Sequence, residues 1–467
     1  MVKGKIYIVG AGPGRTDLIT VRGLNILKEA EVIIYDYLVG DGLLKLANPQ
    51  AEKICADELG KKRYANSFTS AQEKINQLMI KKVLQGKKVV RLKNGDPSIF
   101  GRLSQELEAL TNKKIEFEVV PGVTAASAAA AYVGIPLTDR RFASSVVLAT
   151  GHEDPNKTKS LLDWNEIASK GTIVLYMAVE NLPQITFELI RRGKSEKTPA
   201  LIISQAGSLN QKVVRGELKS IAQKVKQAKL SAPAVVIIGE VAKLEKHFNW
   251  LKKSKRILFT GLSSEHFFEK GKTYFHLPLI EIKPLEDYKE FDQHLPELKK
   301  FDWIVFSSRF GVEYFFERLI AAGKDVRALM GVKIAAVGNS TGEKLLTYGL
   351  RADLIPKEES SAGLIKEFKK IGIKGKKVFL PRSDLADKGL AKGLEKLGAK
   401  VTAAVVYQNV MPKNLPDLDF DFFDEIYFTS PSTVRNFKKR YGKVPKKIKV
   451  RWIGKVTKQE LKKQGML

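Results

Sequence analysis

The chain has one cysteine, five histidines and no apolar run long enough to span a bilayer. A lone Cys55 excludes an internal disulfide, and nothing around it has the spacing of zinc ligands. A bilayer span needs ~18 or more consecutive apolar residues, and the most apolar stretches, 125–131 and 234–238, fall well short. The opening MVKGKIYIVG runs straight into a strand pattern, without a signal-peptide core or cleavage site. These absences point to a reduced, cytoplasmic setting, no metal and no membrane partner. No histidine sits in a nucleophile or metal motif, and no Ser/His/Asp set can be assembled. Acidic residues are also scarce, 51 against 80 basic, for a net charge of +29. That excess favours an anionic partner, although the lysines are scattered in pairs along the whole chain, as on a solvated surface.

What is present sets the scale. At 467 residues and roughly 150 per domain, about three compact units are expected. A hydrophobic share of 44% is ordinary for chains with packed cores. Short β-branched runs at 5–9, 32–35, 88–92, 117–120, 145–149, 172–177, 200–204 and 234–238 read as strands, with helical segments such as 18–30 and 71–84 between them. Near-continuous apolar strands suit parallel or mixed sheets buried on both faces, so the fold class is α/β. Pro121-Gly122 marks a boundary between two lobes. The polar stretch 243–255 (KLEKHFNWLKKSK) closes the pattern and reads as a junction before a new strand at 256–260.

Beyond that junction lies an internal repeat. FSSRFGVEYFFERL (306–319) aligns with FTSPSTVRNFKKRY (428–441), and KIAAVGNSTGEKLLTYGL (333–350) with KVRWIGKVTKQELKKQGM (449–466). Gly338 meets Gly454, Thr341 meets Thr457, Leu345 meets Leu461 and Gly349 meets Gly465. Two homologous lobes follow, with ligand expected at the strand C-terminal ends. Ser307, Ser308, Arg309, Thr429, Ser430, Ser432 and Thr433 lie where strands meet helices. Hydroxyls there suit carboxylate binding beside helix N-termini and equally suit N-capping.

In the first half, VGAGPG (9–14) follows a strand and Asp36 ends the next one. The pair invites a dinucleotide reading, with Asp36 on a ribose hydroxyl. Two residues weaken it: Arg15 fills the third glycine slot, and Pro13 removes an amide from the loop. Asp96-Pro97, taken alone, is a type I turn with an Asx cap. Met177, ending an apolar strand, is core by the same kind of reading.

VGAGPG, VIIYDYLV, VVRLKNGDPSIFGR, VVPGVTAASAAAAYVGIPLT and TIVLYM occur in the order and at about the separations found in tetrapyrrole methyltransferases, and SAPAVVIIGEVAKL extends the match over 3–246. With GIPLT and GHEDP, this half resembles uroporphyrinogen-III C-methyltransferase. The resemblance implies a domain at 1–246 of two α/β lobes, about 1–119 and 120–246, holding S-adenosylmethionine in the cleft between them. It places the donor on Pro13, Gly95, Asp96, Ile99, Thr124, Ala125, Met177 and Ala206. Asp36 and a lysine of GKKRY (60–64) are implied as proton acceptor and donor. Lys61 matches best, and Lys62 or Arg63 could fill the slot because the segment is longer than usual. Arg102 and Arg140 are implied for substrate carboxylates, a task the planar guanidinium suits. The family is commonly a homodimer through this part. Departures are Asn94 for a glycine, Arg15 where Asp is common, Ala206 for a frequent glycine, and Leu103-Ser104-Gln105 for Gly-Gly-Glu.

After a linker at 247–254, residues 255–467 resemble uroporphyrinogen-III synthase. The match rests on LPLIEIKPL (277–285), WIVFSSRFGVEYFFERL (303–319), VKIAAVGNST (332–341), VFLPRSDLA (378–386), VVYQNV (405–410) and FTSPSTVRNF (428–437). The implied fold is bilobal α/β, one lobe about 255–283 plus 410–467 and the other about 284–409. Tyr407 is implied to assist departure of a hydroxyl. Gly261, in FTGLSS (259–264), stands where an arginine commonly follows the threonine.

Together the two resemblances imply closure of hydroxymethylbilane with inversion of its last ring. Two methylations would follow, giving precorrin-2 on the sirohaem and cobalamin branch, with polycarboxylate tetrapyrroles as partners. A methyltransferase joined to a degenerate, non-catalytic tetrapyrrole-binding domain is the alternative that the departures leave open. A nucleic-acid partner would want aromatics interleaved with the basic residues and salt-sensitive binding. The sequence shows no such run, and none is expected.

Overall fold

In a computed structural model, which describes residues 4–60, 68–152, 162–262 and 269–467, the apolar runs become strands of four sheets. The first contains β1 (Ile6–Gly10), β2 (Val32–Tyr35), β3 (Glu52–Cys55), β4 (Val89–Lys93) and β5 (Phe117–Val120), in the order β3-β2-β4-β1-β5. All its neighbours are parallel. Both faces are covered, as the unbroken apolar runs require. Ile6, Ile8, Val32 and Ile34 pack with Met79, Val83 and Leu110 on one side. Val9, Ile33 and Val90 pack with Ile26, Leu27 and Leu43 on the other.

The second sheet contains β6 (Val146–Thr150), β7 (Thr172–Tyr176), β8 (Pro199–Ser204), β9 (Lys212–Glu217) and β10 (Ala234–Ile238), in the order β6-β7-β10-β8-β9. It is mixed: β6 runs parallel to β7, and the other pairs are antiparallel. The helix Ala125–Val133 belongs to its core, with Ala126, Ala129 and Val133 buried beside Val174, Ile203 and Ile237.

The stretch 243–255 is folded rather than open. Its helices Glu245–Phe248 and Trp250–Lys253 bury Leu251 and Asn249. The Trp250 indole donates to the Ala131 carbonyl at 2.8 Å. Arg215 forks onto Glu245 with two bonds of 2.6 Å. Polar residues that look like linker in the sequence are here satisfied by partners distant along the chain.

The chain divides into two compact units. One is Met1–Ile257 with Glu269–Phe275 and Leu418–Asp424; the rest forms the other. The C-terminal part has β11 (Lys255–Phe259), β12 (Lys272–His276), β13 (Glu281–Lys283), β14 (Trp303–Phe306), β15 (Lys333–Ala336), β16 (Lys377–Ser383), β17 (Lys400–Val410), β18 (Glu425–Phe428) and β19 (Lys449–Trp452). They form sheets β12-β11-β18-β19 and β13-β17-β16-β14-β15. Where the chain crosses between lobes, Glu281 to Lys283 of β13 pairs antiparallel with Gln408 to Val410 of β17. Interlocked Phe291, Phe306, Phe315, Phe316 and Phe379 fill the core of the larger sheet.

The repeat is structural. β14, helix Arg309–Ala321, β15 and helix Asn339–Leu346 match β18, helix Pro431–Tyr441, β19 and helix Gly454–Lys463, one set in each sheet. Ser308 and Ser430 occupy equivalent N-caps, accepting from the amides of Gly311 at 2.9 Å and Thr433 at 3.3 Å. A third such cap, Ser360, accepts from Gly363 N at 3.0 Å before helix Ser361–Ile371. Ser360→Ala is expected to lower stability by about 1 kcal/mol, as loss of an N-cap oxygen does. Urea denaturation reads that change. No helix among the described residues is long and apolar enough to cross a membrane.

Candidate functional site

Three loops leave the C-terminal edge of the first sheet in backbone contact, after β1, β4 and β5. Gly12 and Gly95 exchange amide-to-carbonyl bonds of 3.1 and 2.8 Å. A Cβ on Gly10 would fall 2.6 Å from Gly122 N, and one on Gly122 would fall 2.2 Å from Gly95 O. No side chain fits at either place. Gly95 differs. It sits at φ +68°, and a Cβ there would meet nothing nearer than Ala125 N and Thr124 Cα, both at 3.9 Å. Gly95 therefore has room for a methyl beside Thr124 and Ala125, in ordinary contact with both.

Asp96 ties two of these loops together. One oxygen accepts from Gly122 N at 2.8 Å; the other takes the Ser98 amide at 2.8 Å and the Ser98 hydroxyl. Burial would raise its pKa, but the Ser98 hydroxyl and the two amides outweigh burial and hold it below the usual aspartate value. The Asx turn and the loop tie are thus one arrangement.

The second sheet reaches the same place through Tyr176, at the end of β7. Its hydroxyl lies 2.7 Å from Thr124 Oγ1 and accepts from Ala126 N at 3.3 Å. Phe100 packs on its ring at 5.0 Å between centroids. Met177 follows at φ +53° and is 53% exposed. The core reading of Met177 is therefore corrected: the left-handed backbone turns its side chain out of the sheet. Arg15, clasped by Asp17, lies over the Tyr132 ring at 5.6 Å and donates to Gly207 O at 3.4 Å. That contact brings the Pro13 loop beside the loop holding Ala206. Six non-glycine residues among those described have positive φ, and Phe100, Arg102, Met177 and Gln205 of these loops are four of them. Each such residue costs on the order of 1–3 kcal/mol and persists only where surrounding structure imposes it.

Asp36 directly follows β2, and its carboxylate is half-buried. It accepts from Arg91 at 2.5 Å and from Asn94 N at 3.2 Å. Burial pushes its pKa up, but Arg91 and Lys93 overcome this and leave it lowered. Arg91 and Lys93 themselves are buried, and both meet Glu106 Oε1, at 3.0 and 2.9 Å. Sequence reasoning missed this cluster, although two charges at alternate positions of an apolar strand, VVRLK, signal one face with hidden partners. Lys61, Lys62 and Arg63 lie outside the described residues. Ile99 is half-buried, and Arg102 and Arg140 are exposed.

In the second unit, Tyr407 is only 6% exposed, and its hydroxyl lies 2.9 Å from Ser308 Oγ. Burial raises its pKa, against hydrogen bonds from Ser308 and Ser383. Tyr314 stacks on its ring at 5.8 Å. Ser307, Thr429 and Ser432 are half-buried, and Arg309 is exposed with its guanidinium over Phe310. Thr433 requires a correction. It is fully buried, and its hydroxyl donates to Ser430 O at 2.8 Å within a capping box, so it holds the helix start and does not face a ligand. At Gly261 a Cβ would lie 2.7 Å from both the Phe259 ring and Thr429 Cγ2. The site commonly holding arginine is filled by neighbours. The start of helix Asn339–Leu346 is covered by the Glu359 carboxylate, which accepts from Asn339 N at 3.1 Å and Asn339 Nδ2 at 2.7 Å.

Residues 5–222 match the family model described as tetrapyrrole (corrin/porphyrin) methylases, and residues 263–467 the model described as uroporphyrinogen-III synthase HemD. A porphyrin biosynthesis protein HemD from Ruminiclostridium josui is 32% identical over 487 residues, covering 100% of this chain and 95% of its own length. An S-adenosyl-L-methionine-dependent uroporphyrinogen III methyltransferase from Methanosarcina barkeri is 45% identical over 242 residues, 52% of this chain and 93% of that one. The solved uroporphyrin-III C-methyl transferase of Thermus thermophilus, complexed with S-adenyl homocysteine, is 34% identical over 52% of this chain and 100% of its own, with a TM-score of 0.45.

Proposed function

Because the chain belongs to the tetrapyrrole methylase family in its N-terminal half and to the uroporphyrinogen-III synthase family in its C-terminal half, we propose that it makes and then methylates one macrocycle. The C-terminal domain closes hydroxymethylbilane with inversion of the last ring and loss of water. The N-terminal domain transfers two methyl groups to the product, giving precorrin-2. S-adenosylmethionine, when bound, supplies a methyl group already activated on a sulfonium.

The observation that carries this reading is the left-handed Gly95 set against Thr124 and Ala125 with room for a methyl, and an exposed Met177 following the tyrosine that docks on Thr124. A left-handed glycine lets backbone approach a ligand, and the exposed thioether can cover a flat base. Positioning an electron-rich carbon against the sulfonium in a water-poor cleft is the main demand. Asp36, kept ionised by Arg91, takes the proton that the macrocycle gives up after attack. Arg102 and Arg140 meet carboxylates at the rim. In the synthase domain, Ser308 hands a hydrogen bond between Tyr407 and the departing hydroxyl, while Ser307, Thr429, Ser430 and Ser432 hold carboxylates near the two helix starts. The working domains are 1–246 and 255–467, and the methyltransferase part forms a homodimer.

Purified chain given hydroxymethylbilane and S-adenosylmethionine is expected to yield dimethylated type III product. Unmethylated product removes the first activity from this reading. Type I isomer alone removes the second and leaves the second reading, a synthase-like domain that binds without catalysing, which the filled arginine position at Gly261 favours. Asp96→Ala is expected to weaken donor binding about tenfold or more in calorimetry, since it releases both Ser98 and Gly122. Unchanged affinity would place the donor elsewhere.

A further inference from the structure

Beneath the loop 94–102 lies a cluster of charges that this mechanism does not use directly. Arg91 and Lys93 project from the same face of β4, where residues two apart share a side. They are 2% and 3% exposed, and Glu106 on helix Leu103–Asn112 is 0% exposed. One oxygen of Glu106 takes Arg91 Nε at 3.0 Å, Lys93 Nζ at 2.9 Å and Gln72 Nε2 at 3.4 Å. The other oxygen is buried with no hydrogen-bond partner among the described residues. The far end of the Arg91 guanidinium reaches Asp36 at 2.5 Å.

Burying so many charges is costly, and a hydrophobic filling of similar volume is often as stable or more so. Stability alone is thus a weak reason for such a cluster. Its geometry offers another. A guanidinium is a rigid planar fork; with Nε on Glu106 and one terminal nitrogen on the carbonyls of Ile34 and Leu92 at 3.3 and 3.4 Å, the other terminal nitrogen is aimed at Asp36. Asn94 N then takes the second Asp36 oxygen at 3.2 Å, from the loop that continues to Gly95 and Asp96.

We propose that Arg91, locked by Glu106 and by the carbonyls of Ile34 and Leu92, is a positioning residue for methyl transfer, fixing the orientation of the Asp36 carboxylate relative to the loop that carries the donor. The inference rests on Asp36 acting as proton acceptor. The charged groups around Asp36 are Arg91 and Lys93 from β4 and Glu106 behind them, with Asp57 nearby, accepting from Tyr37 N at 2.7 Å.

The sign of the pH effect follows from this arrangement. Arg91 and Lys93 together overcome the burial that would raise the Asp36 pKa, so the wild-type base stays ionised well into acid. Removing the guanidinium leaves only Lys93 and the Asn94 amide to oppose burial, and Asp36 protonates at higher pH. Full-length Arg91→Gln is expected to lose about tenfold or more in kcat at pH 8, with KM for the tetrapyrrole and Kd for S-adenosylmethionine within about twofold. An acid limb should also emerge in its kcat profile at a pH where the wild type is still flat. Arg91→Lys, which restores charge without the fork, should abolish that limb and keep most of the rate defect. A merely structural role would lower the melting temperature of both variants and move no limb. A wild-type kcat and flat profile for Arg91→Gln, with Asp36→Asn inactive, overturns this inference and leaves Asp36 in place. A fully active Asp36→Asn overturns both.

Discussion

Asp36→Asn is expected to lower methyl transfer by about 10²- to 10⁴-fold, the usual contribution of a positioned general base, with S-adenosylmethionine affinity within about twofold. The amide keeps the shape of the carboxylate and can still accept from Arg91 through its oxygen. What it loses is the capacity to hold a proton. Single-turnover transfer of labelled methyl, read beside calorimetric donor binding, separates the two quantities. Loss of donor affinity in parallel with rate would assign Asp36 to binding instead. The amide nitrogen cannot accept from Asn94 N, so that one bond is lost while the Arg91 bond is kept, at a cost of about 1 kcal/mol in stability.

Gly122→Ala is expected to abolish donor binding and to destabilise the first unit. Its Cβ would lie 2.2 Å from Gly95 O and 2.8 Å from Gly10 Cα. Both neighbours are backbone, so the loops after β1, β4 and β5 must separate. Overpacking of this kind costs about 1–3 kcal/mol, and the Asp96 bond to Gly122 N goes with it. Gly95→Ala provides the contrast. Its Cβ has room, and its φ of +68° adds strain on the order of 1 kcal/mol, yet the methyl enters the proposed donor space. Thermal melts and calorimetry on the pair should show both properties lost in the first variant and mainly affinity lost in the second. Equal donor binding in wild type and Gly95→Ala would rule out this location.

The strands buried on both faces were legible in the sequence to within one residue. Val32–Tyr35 and Ala234–Ile238 have the expected bounds, because unbroken apolar runs leave few alternatives; the more exposed edge strand Phe117–Val120 has them as well. The strands not foreseen, Glu52–Cys55 and Lys212–Glu217, lie at sheet edges, where one side faces solvent and charged residues are tolerated. The repeat was legible because turn hydroxyls and helix glycines keep their spacing. Thr433 was not, since a hydroxyl at a helix start reads alike whether it caps the chain or meets a ligand. Met177 escaped for a related reason. Its strand is apolar up to the last residue, and only the backbone dihedral reveals that the chain turns there. Arg91, Lys93 and Glu106 depend on contacts between β4 and a helix beginning ten residues later, a pairing that spacing along the chain does not announce.

Phe100, Arg102, Met177 and Gln205 have left-handed backbones, and such conformations persist only where the surrounding structure imposes them. A chain free to relax would leave these conformations, so the sheets and the Tyr176 and Arg15 contacts impose them in advance. Loops shaped beforehand lose little conformational entropy when a ligand arrives, and the ordering penalty of association falls accordingly. For the proposed methyl donor, the ordering of these loops then belongs to the folding of the chain and not to association.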